Sequence, residues 1–560
     1  MIEIINKEKI VNIESIQSIV KQETTHIILK DKHTQIYENI LEYVDLGKES
    51  IVTDYTYNGY YINDCRYFGN DFITIEDWFN NHNLQPNIIY EMNDLQWLIS
   101  NFEWETSFDI ALNAIIHLNN IKIESHVIFD FTKECQMSYT SLKQPHQNEL
   151  DPVTQFYLNK LARLKLRKIP FNVNHTTLPR NARSMDKIMY KSKFKLPSVM
   201  YKLMYQYIQQ KQMKAINIYE KDKNKIKPYV VFLGFDYGYR GSSKYLYEYF
   251  VQNNVHHQVY FVTDDQEGQN FISPSDKATK KLIEEAKVVI LESYSPDHIK
   301  ANGTIIQIWH GTPIKRLFLD SDEPKQNKEI YHYRARKYNK LIKQNYFVTD
   351  IEAINTKFQS AFPLHETKII ACGYPRNQFL LENINKTDVI NQIEIKLKLD
   401  KNKQTILYSP TWRDNHESHY LLDFPDDIAK NYNIIYKYHE EDQNENTNEY
   451  IMYNDIETQQ LLLVSDIVIS DYSSIVFDAL TINKQVYLYT PDFDLYTQNR
   501  GLYEDVFNTI NCNQYHDSKS LFEAINNNKY IETNNKYVNK NNHSFEMIYQ
   551  LIDDVMNGKR

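Results

Sequence analysis

Residues 304–316 read Thr304-Ile-Ile-Gln-Ile-Trp-His-Gly-Thr-Pro-Ile-Lys-Arg316. A short apolar run stops at a histidine, a glycine and a Thr-Pro pair, and two basic residues follow. A brief apolar run without alternation points to a strand covered on both faces, as in a parallel sheet. In open parallel sheets ligands bind beyond the carboxyl ends of the strands, so polar groups gathered at such a stop are candidates for chemistry. His310 stands at the strand end and Gly311 frees the backbone. Thr312-Pro313 is expected to open a helix whose unpaired N–H groups would share the place with the imidazole. That is a suitable position for a general base.

Outward from this stretch the same strand, loop and helix recur. Apolar runs begin at Tyr229, Gln258, Val288, Thr304, Tyr346, Lys368, Gln404, Asn433, Asp466 and Gln485, with helical stretches between them. So many strands over roughly 300 residues suit two doubly wound α/β domains better than one, given domain sizes of about 100–200 residues. The seam is expected between Leu380 and Lys401, giving domains at 228–385 and 386–560, the second carrying the C-terminal helix.

Three more loops after strands carry polar clusters. Tyr408-Ser-Pro-Thr411-Trp-Arg413-Asp414 offers an arginine able to grip a phosphate with two parallel hydrogen bonds, or simply to pair with Asp414. Tyr436-Lys-Tyr-His439-Glu440 ends another strand in a histidine, which a surface position would equally explain. Ser470-Asp471-Tyr-Ser473-Ser474 precedes a helical run, so its hydroxyls either cap the helix or help to hold an anion. The chain has only twelve glycines, eight of them between residues 234 and 501, mostly beside strands. Retained glycines of this kind mark positive φ or close backbone approach. The loop from Gly234 to Lys244 lacks GxGxxG spacing, no Walker A or HExxH motif occurs, and no carboxylates have metal-ligand spacing. Neither a metal nor another cofactor is expected.

Upstream the character changes. Residues 1–150 hold 10 Lys and Arg against 23 Asp and Glu, while Lys160 to Lys227 holds 18 against Asp186, Glu220 and Asp222 alone. An acidic α/β or α+β domain at 1–155 and a basic, helical connector at 156–227 are expected. In the connector Val199, Met200, Leu203, Met204, Tyr207 and Ile208 recur at helical spacing, with lysines on the flanks. Lys191, Lys193, Lys195 and Lys202 would meet an anionic membrane surface; a linker helix packed on its neighbour remains open.

The full 560 residues are 42% hydrophobic and 24% charged, with net charge −10, close to a soluble globular average, which excludes collagen-like, disordered and coiled-coil chains. No apolar run approaches the ~18–20 residues needed to cross a bilayer. The start, MIEIINKEKI, lacks the regions of a secretory signal, so a cytoplasmic protein is expected. Cys65, Cys135, Cys372 and Cys512 form no CxxC pair, and reduced thiols are expected.

Four motifs in order, WHGTPIK at Trp309–Lys315, GYPRN at Gly373–Asn377, SPTWRD at Ser409–Asp414 and SDYSS at Ser470–Ser474, resemble the CDP-glycerol glycerophosphotransferases of teichoic acid synthesis in Gram-positive bacteria. The resemblance covers about residues 228–540. It implies a GT-B-like fold, two Rossmann-like domains facing a cleft. It also implies His310 as catalytic base, His439 as a second essential histidine near the diphosphate, and Arg413, Ser473, Ser474 and Arg500 as diphosphate-binding groups. Gly311, Thr312 and Lys315 beside the base, and Thr411 and Asp471 beside the serines, complete the implied substrate-binding set. Glu440 stands after His439 where the family usually has proline. The implied reaction moves glycerol phosphate or ribitol phosphate from CDP-glycerol or CDP-ribitol to a lipid-linked teichoic acid acceptor at the cytoplasmic face of the membrane, with CMP released and no nucleic acid involved. A nucleotide-sugar glycosyltransferase of the same architecture and a non-catalytic scaffold of wall-polymer assembly are the rival readings.

Overall fold

The computed structural model describes residues 1–10, 12–57, 60–61, 86–102, 104, 107–118, 120–131, 219–253, 256–321, 328–411, 422–437, 456–533 and 535–559. These fall into two units, Met1–Ile218 with Pro324–Asn339, and Tyr219–Glu323 with Lys340–Arg560. The basic connector, including Lys191, Lys193, Lys195 and Lys202, lies outside the described residues, apart from its end from Tyr219.

The first unit holds a mixed sheet of β1 (Ile2–Asn6), β2 (His26–Lys30), β3 (Thr34–Ile36), β4 (Ile51–Tyr57), β5 (Tyr60–Tyr61), β6 (Ile88–Glu91) and β7 (Lys122–Phe131), ordered β1-β2-β6-β4-β7-β3 with β5 beside β4. The pairs β1-β2 and β4-β7 are parallel, and β2-β6, β6-β4 and β7-β3 are antiparallel. The later segment belongs here through Asn339, whose carboxamide accepts from Tyr61 N at 2.8 Å and donates to Tyr61 O at 3.0 Å.

The second unit contains both parallel sheets. β8 (Lys227–Leu233), β9 (Gln258–Val262), β10 (Phe271–Ile272), β11 (Ala286–Leu291), β12 (Thr304–Gln307), β13 (Tyr346–Thr349) and β14 (Lys368–Ala371) run in the order β10-β9-β8-β11-β12-β13-β14. That is Rossmann order with a seventh strand added. β15 (Gln404–Tyr408), β16 (Tyr432–Tyr436), β17 (Ile467–Ser470), β18 (Gln485–Tyr489) and β19 (Gln514–Tyr515) run in the order β16-β15-β17-β18-β19, the other common doubly wound order. Every expected strand is present; β10 and β19, two residues each, are additional.

Alternate residues of each strand of the first sheet serve opposite faces. Val230, Phe232, Val288, Ile290 and Ile306 pack on one side under the helices Gly241–Asn253 and Ser544–Met556. Val231, Leu233, Val289 and Leu291 pack on the other with Ile283 and Ile299. The sequence boundary at 386–560 placed the C-terminal helix with the second sheet. Its apolar stripe of Phe545, Ile548, Leu551, Ile552 and Val555 instead closes the core of the first, so the chain returns to its first half after completing the second. Within the first half, the helix Pro375–Asn383 stacks Phe379 on Tyr245 with ring centroids 4.0 Å apart. Lys244 pairs with Glu457 of the second half. Among the described residues no helix is long and apolar enough to cross a membrane.

Candidate active site

Strand order reverses between β8 and β11 in the first sheet and between β15 and β17 in the second, and open sheets bind ligands at such reversals. The polar loops sit there or one strand away.

At the first reversal the helix Gly241–Asn253 points its N-terminus at the end of β11, where a dinucleotide phosphate would rest in many Rossmann folds. That position is filled. The buried carboxylate of Glu292 accepts from Ser242 N at 2.8 Å, Ser243 N at 3.0 Å and Ser243 Oγ at 2.5 Å. Burial raises its pKa against those hydrogen bonds. Gly241 is required: its φ is +63° and a Cβ would lie 2.6 Å from Glu292 Oε1. The absent GxGxxG spacing thus has a physical counterpart.

Glu292 also orients His310. The imidazole Nδ1 lies 2.9 Å from the Glu292 main-chain oxygen. A carbonyl only accepts, so Nδ1 carries the proton and Nε2 keeps its lone pair. The ring stacks on Trp309 at 4.2 Å and meets the edge of Phe235 at 5.1 Å. This removal from water, helped by the positive charges of Arg376 and Lys315 and opposed by the hydrogen bond to Glu292, pushes the imidazole pKa down to about 4. At neutral pH His310 is therefore an uncharged base with a fixed tautomer.

Thr312-Pro313 does not open a helix. The chain runs extended instead, with Tyr503 N donating to Ile314 O at 2.9 Å and Arg316 N donating to Gly501 O at 3.1 Å. Hydrogen bonds to the Gly501–Tyr503 segment replace those of a helical turn, so the free helix N–H groups expected beside the imidazole are not there. Lys315 pairs by its backbone with Leu502, two positions after Arg500, the last residue of the helix Phe493–Arg500. The hydroxyl of buried Thr312 has no hydrogen-bond partner.

In the second half Asp471 Oδ1 accepts from Thr411 N at 2.8 Å, Thr411 Oγ1 at 2.6 Å and Tyr472 N at 2.6 Å. These bonds tie the loop after β15 to the loop after β17, so both residues shape the reversal point. Ser473 and Ser474 precede the helix Ile475–Thr481, and Ser474 faces the His310 loop. A Cβ on Gly311 would lie 2.5 Å from Ser474 Oγ, and the φ of Gly311 is +131°. His310, Gly311 and Ser474 are thus brought together, with the charge of Lys315 felt by the imidazole. Arg413 and His439 lie outside the described residues.

The residue that sequence reasoning missed is Arg376, of the quoted GYPRN stretch. It is buried at the centre of this contact, its Nη1 donating to His310 O at 2.7 Å and its Nη2 pairing with Asp478 at 2.9 Å. The available signal was the arginine at the second position of a Pro-started helix, directly after a strand. Among the described residues no three His, Cys, Asp or Glu side chains converge to hold a metal ion.

The family described as CDP-glycerol:poly(glycerophosphate) glycerophosphotransferase matches residues 213–554, more than half of the 560. The chain belongs to this family. It is 36% identical over 230 residues to a teichoic acid poly(glycerol phosphate) polymerase of Bacillus spizizenii, covering 36% of this chain and 56% of that one. It is 28% identical over 331 residues to a teichoic acid glycerol-phosphate transferase of Staphylococcus aureus, covering 52% and 83%. The chain spans about half the length of the polymerases it matches. Among solved structures, a histidine-to-alanine form of the wall teichoic acid polymerase TagF aligns with TM-score 0.55 and 22% identity over 68% of this chain and 99% of that one. A TagF structure soaked with CDPG aligns with TM-score 0.54 and 24% identity over 60% and 91%. The fold of this glycerophosphotransferase family member is GT-B-like, as the four motifs implied.

Proposed function

We propose that this protein transfers a polyol phosphate from a CDP-polyol to the terminal hydroxyl of a lipid-linked teichoic acid acceptor. The observation that carries the reading is the fixed tautomer of His310, which leaves Nε2 as an uncharged proton acceptor on the loop that meets Ser474. In the proposed step Nε2 takes the proton of the acceptor hydroxyl as that oxygen bonds to the β-phosphorus. The bond from this phosphorus to the bridging oxygen breaks, and CMP leaves with the electron pair. Charge growing on CMP would be balanced by Lys315, Arg500 and the hydroxyls of Ser473 and Ser474, with Arg413 and His439 in the roles the family resemblance gives them.

CDP-glycerol is the donor we favour. The chain is 36% identical to the glycerol phosphate polymerase of Bacillus spizizenii and 27% identical to the poly(ribitol-phosphate) polymerase of the same organism, and TagF was soaked with CDPG. The acceptor's polyanionic chain and the anionic inner leaflet are the proposed partners of the basic segment 160–227, which would hold the enzyme peripherally on the cytoplasmic face. Purified protein given a lipid-linked acceptor and either donor tests the reading. Release of CMP with growth of the acceptor by one or more polyol phosphates is expected. Release of UDP or UMP from a sugar nucleotide, or no turnover with either CDP-polyol, would favour the rivals.

A further inference from the structure

Arg376 has a role that the proposed chemistry leaves unassigned. Its guanidinium bonds three groups from two other elements. Nη1 donates to the main-chain oxygen of His310 at 2.7 Å, and Nη2 donates to Asp478 Oδ1 at 3.0 Å and to Ser474 Oγ at 3.4 Å. Gly311 packs against the same fork, since a Cβ there would lie 2.5 Å from Nη2. Buried ion pairs are weak sources of stability, because desolvation offsets most of the Coulomb attraction. What a planar, always charged fork supplies is direction: a carbonyl bound on one side and a carboxylate on the other.

We propose that Arg376 is a positioning residue of the transfer step, locking the His310 loop onto the helix Ile475–Thr481 so that the base and the donor-side hydroxyl of Ser474 keep one geometry. The proposal rests on the reading of His310 as the base. Arg376 is buried within the protein, so it acts through His310 and Ser474. A second buried carboxylate also faces it. Asp350, directly after β13, is fully buried with the Tyr374 backbone against its carboxyl. Burial and the neighbouring Asp478 push its pKa up to about 8, against the charge of Arg376. Asp350 therefore stands by as a counter-ion should Asp478 be neutralised.

Three variants test this. Arg376→Lys keeps the charge but cannot bond His310 O, Ser474 Oγ and Asp478 together. Its kcat should fall about 10²-fold, the scale of a misplacement near 1 Å, while the Kd for CDP-glycerol changes less than tenfold. Arg376→Gln also removes a charge that faces His310 alongside Lys315 and the Glu292 carbonyl. The acidic limb of its kcat/KM profile should therefore move to higher pH than in wild type and Arg376→Lys. A merely structural role would lower the folded fraction and leave kcat per active site unmoved in both variants, which would overturn the proposal. Should the Arg376 variants not fold, Asp478→Asn keeps the volume and one acceptor, with Asp350 able to ionise in its place. A roughly tenfold loss of kcat in that folded variant supports the proposal, and unchanged kcat overturns it. If wild type itself released no CMP from CDP-glycerol, the functional reading would fail instead, and the two failures are separable.

Discussion

The imidazole of His310 is aimed by the backbone of Glu292, whose carbonyl oxygen lies 2.9 Å from Nδ1, while the Glu292 side chain closes the N-terminus of the helix Gly241–Asn253. One residue thus fills the helix N-terminus of the first half and fixes the tautomer of His310; in the proposed reading the donor sits in the second half.

The rate should depend on pH accordingly. A base must be neutral to accept a proton, and His310 is held down at about 4 by removal from water and by Arg376 and Lys315. The acidic limb of kcat/KM should fall well below the value near 6.5 of free imidazole. Because the folded pKa is depressed, the associated stability is present above about 6.5 and lost as pH falls from there towards 4. A limb at 6.5 or above would contradict this picture.

Gly311→Ala should impair turnover. The new Cβ would lie 2.5 Å from both Ser474 Oγ and Arg376 Nη2, at a φ of +131°. Strain of about 1–3 kcal/mol is expected at such a position, visible as a lowered melting temperature together with a loss of kcat. An alanine enzyme with wild-type kcat would mean that the two loops do not touch during turnover.

Asp350→Asn should stabilise the protein at alkaline pH. Its folded pKa is raised to about 8 from 3.8, so the folded state holds a proton that the unfolded chain has released. Stability is then lost as pH rises from about 4 to 8. The neutral amide removes that slope, so the gain in melting temperature should be larger at pH 8 than at pH 5. An equal shift at both values would place the Asp350 proton elsewhere.

Much of this was legible in the residues. The ten strand runs stood out because parallel strands are apolar on both faces, and the four loops because polar clusters stop those runs. The C-terminal helix was misassigned because an apolar stripe names no partner: Ile548 and Leu551 fit a sheet, and chain proximity pointed to the wrong one. Arg376 was hidden for a related reason. An arginine in a helix ordinarily reaches solvent, and its burial depends on Asp478 lying about a hundred positions later in the chain. The Thr312-Pro313 pair suggested a helix because local chemistry permits one, and a non-local partner, Gly501–Tyr503, decided against it.

Transfer should survive EDTA. We propose no metal requirement, since in the proposed step Lys315, Arg500 and the serine hydroxyls would balance the charge of the diphosphate. Complete loss of activity, restored by Mg²⁺ or Mn²⁺, would reveal a cation site that includes residues beyond those described.

The central claim is that His310 takes the acceptor's proton, and its most direct test is single-turnover CMP release from CDP-glycerol by wild type and His310→Ala with a lipid-linked acceptor, alongside donor binding to each. A loss of about 10²- to 10⁴-fold in the chemical step is expected, with CDP-glycerol affinity retained. A His310→Ala enzyme that turns over within a few-fold of wild type would contradict the claim.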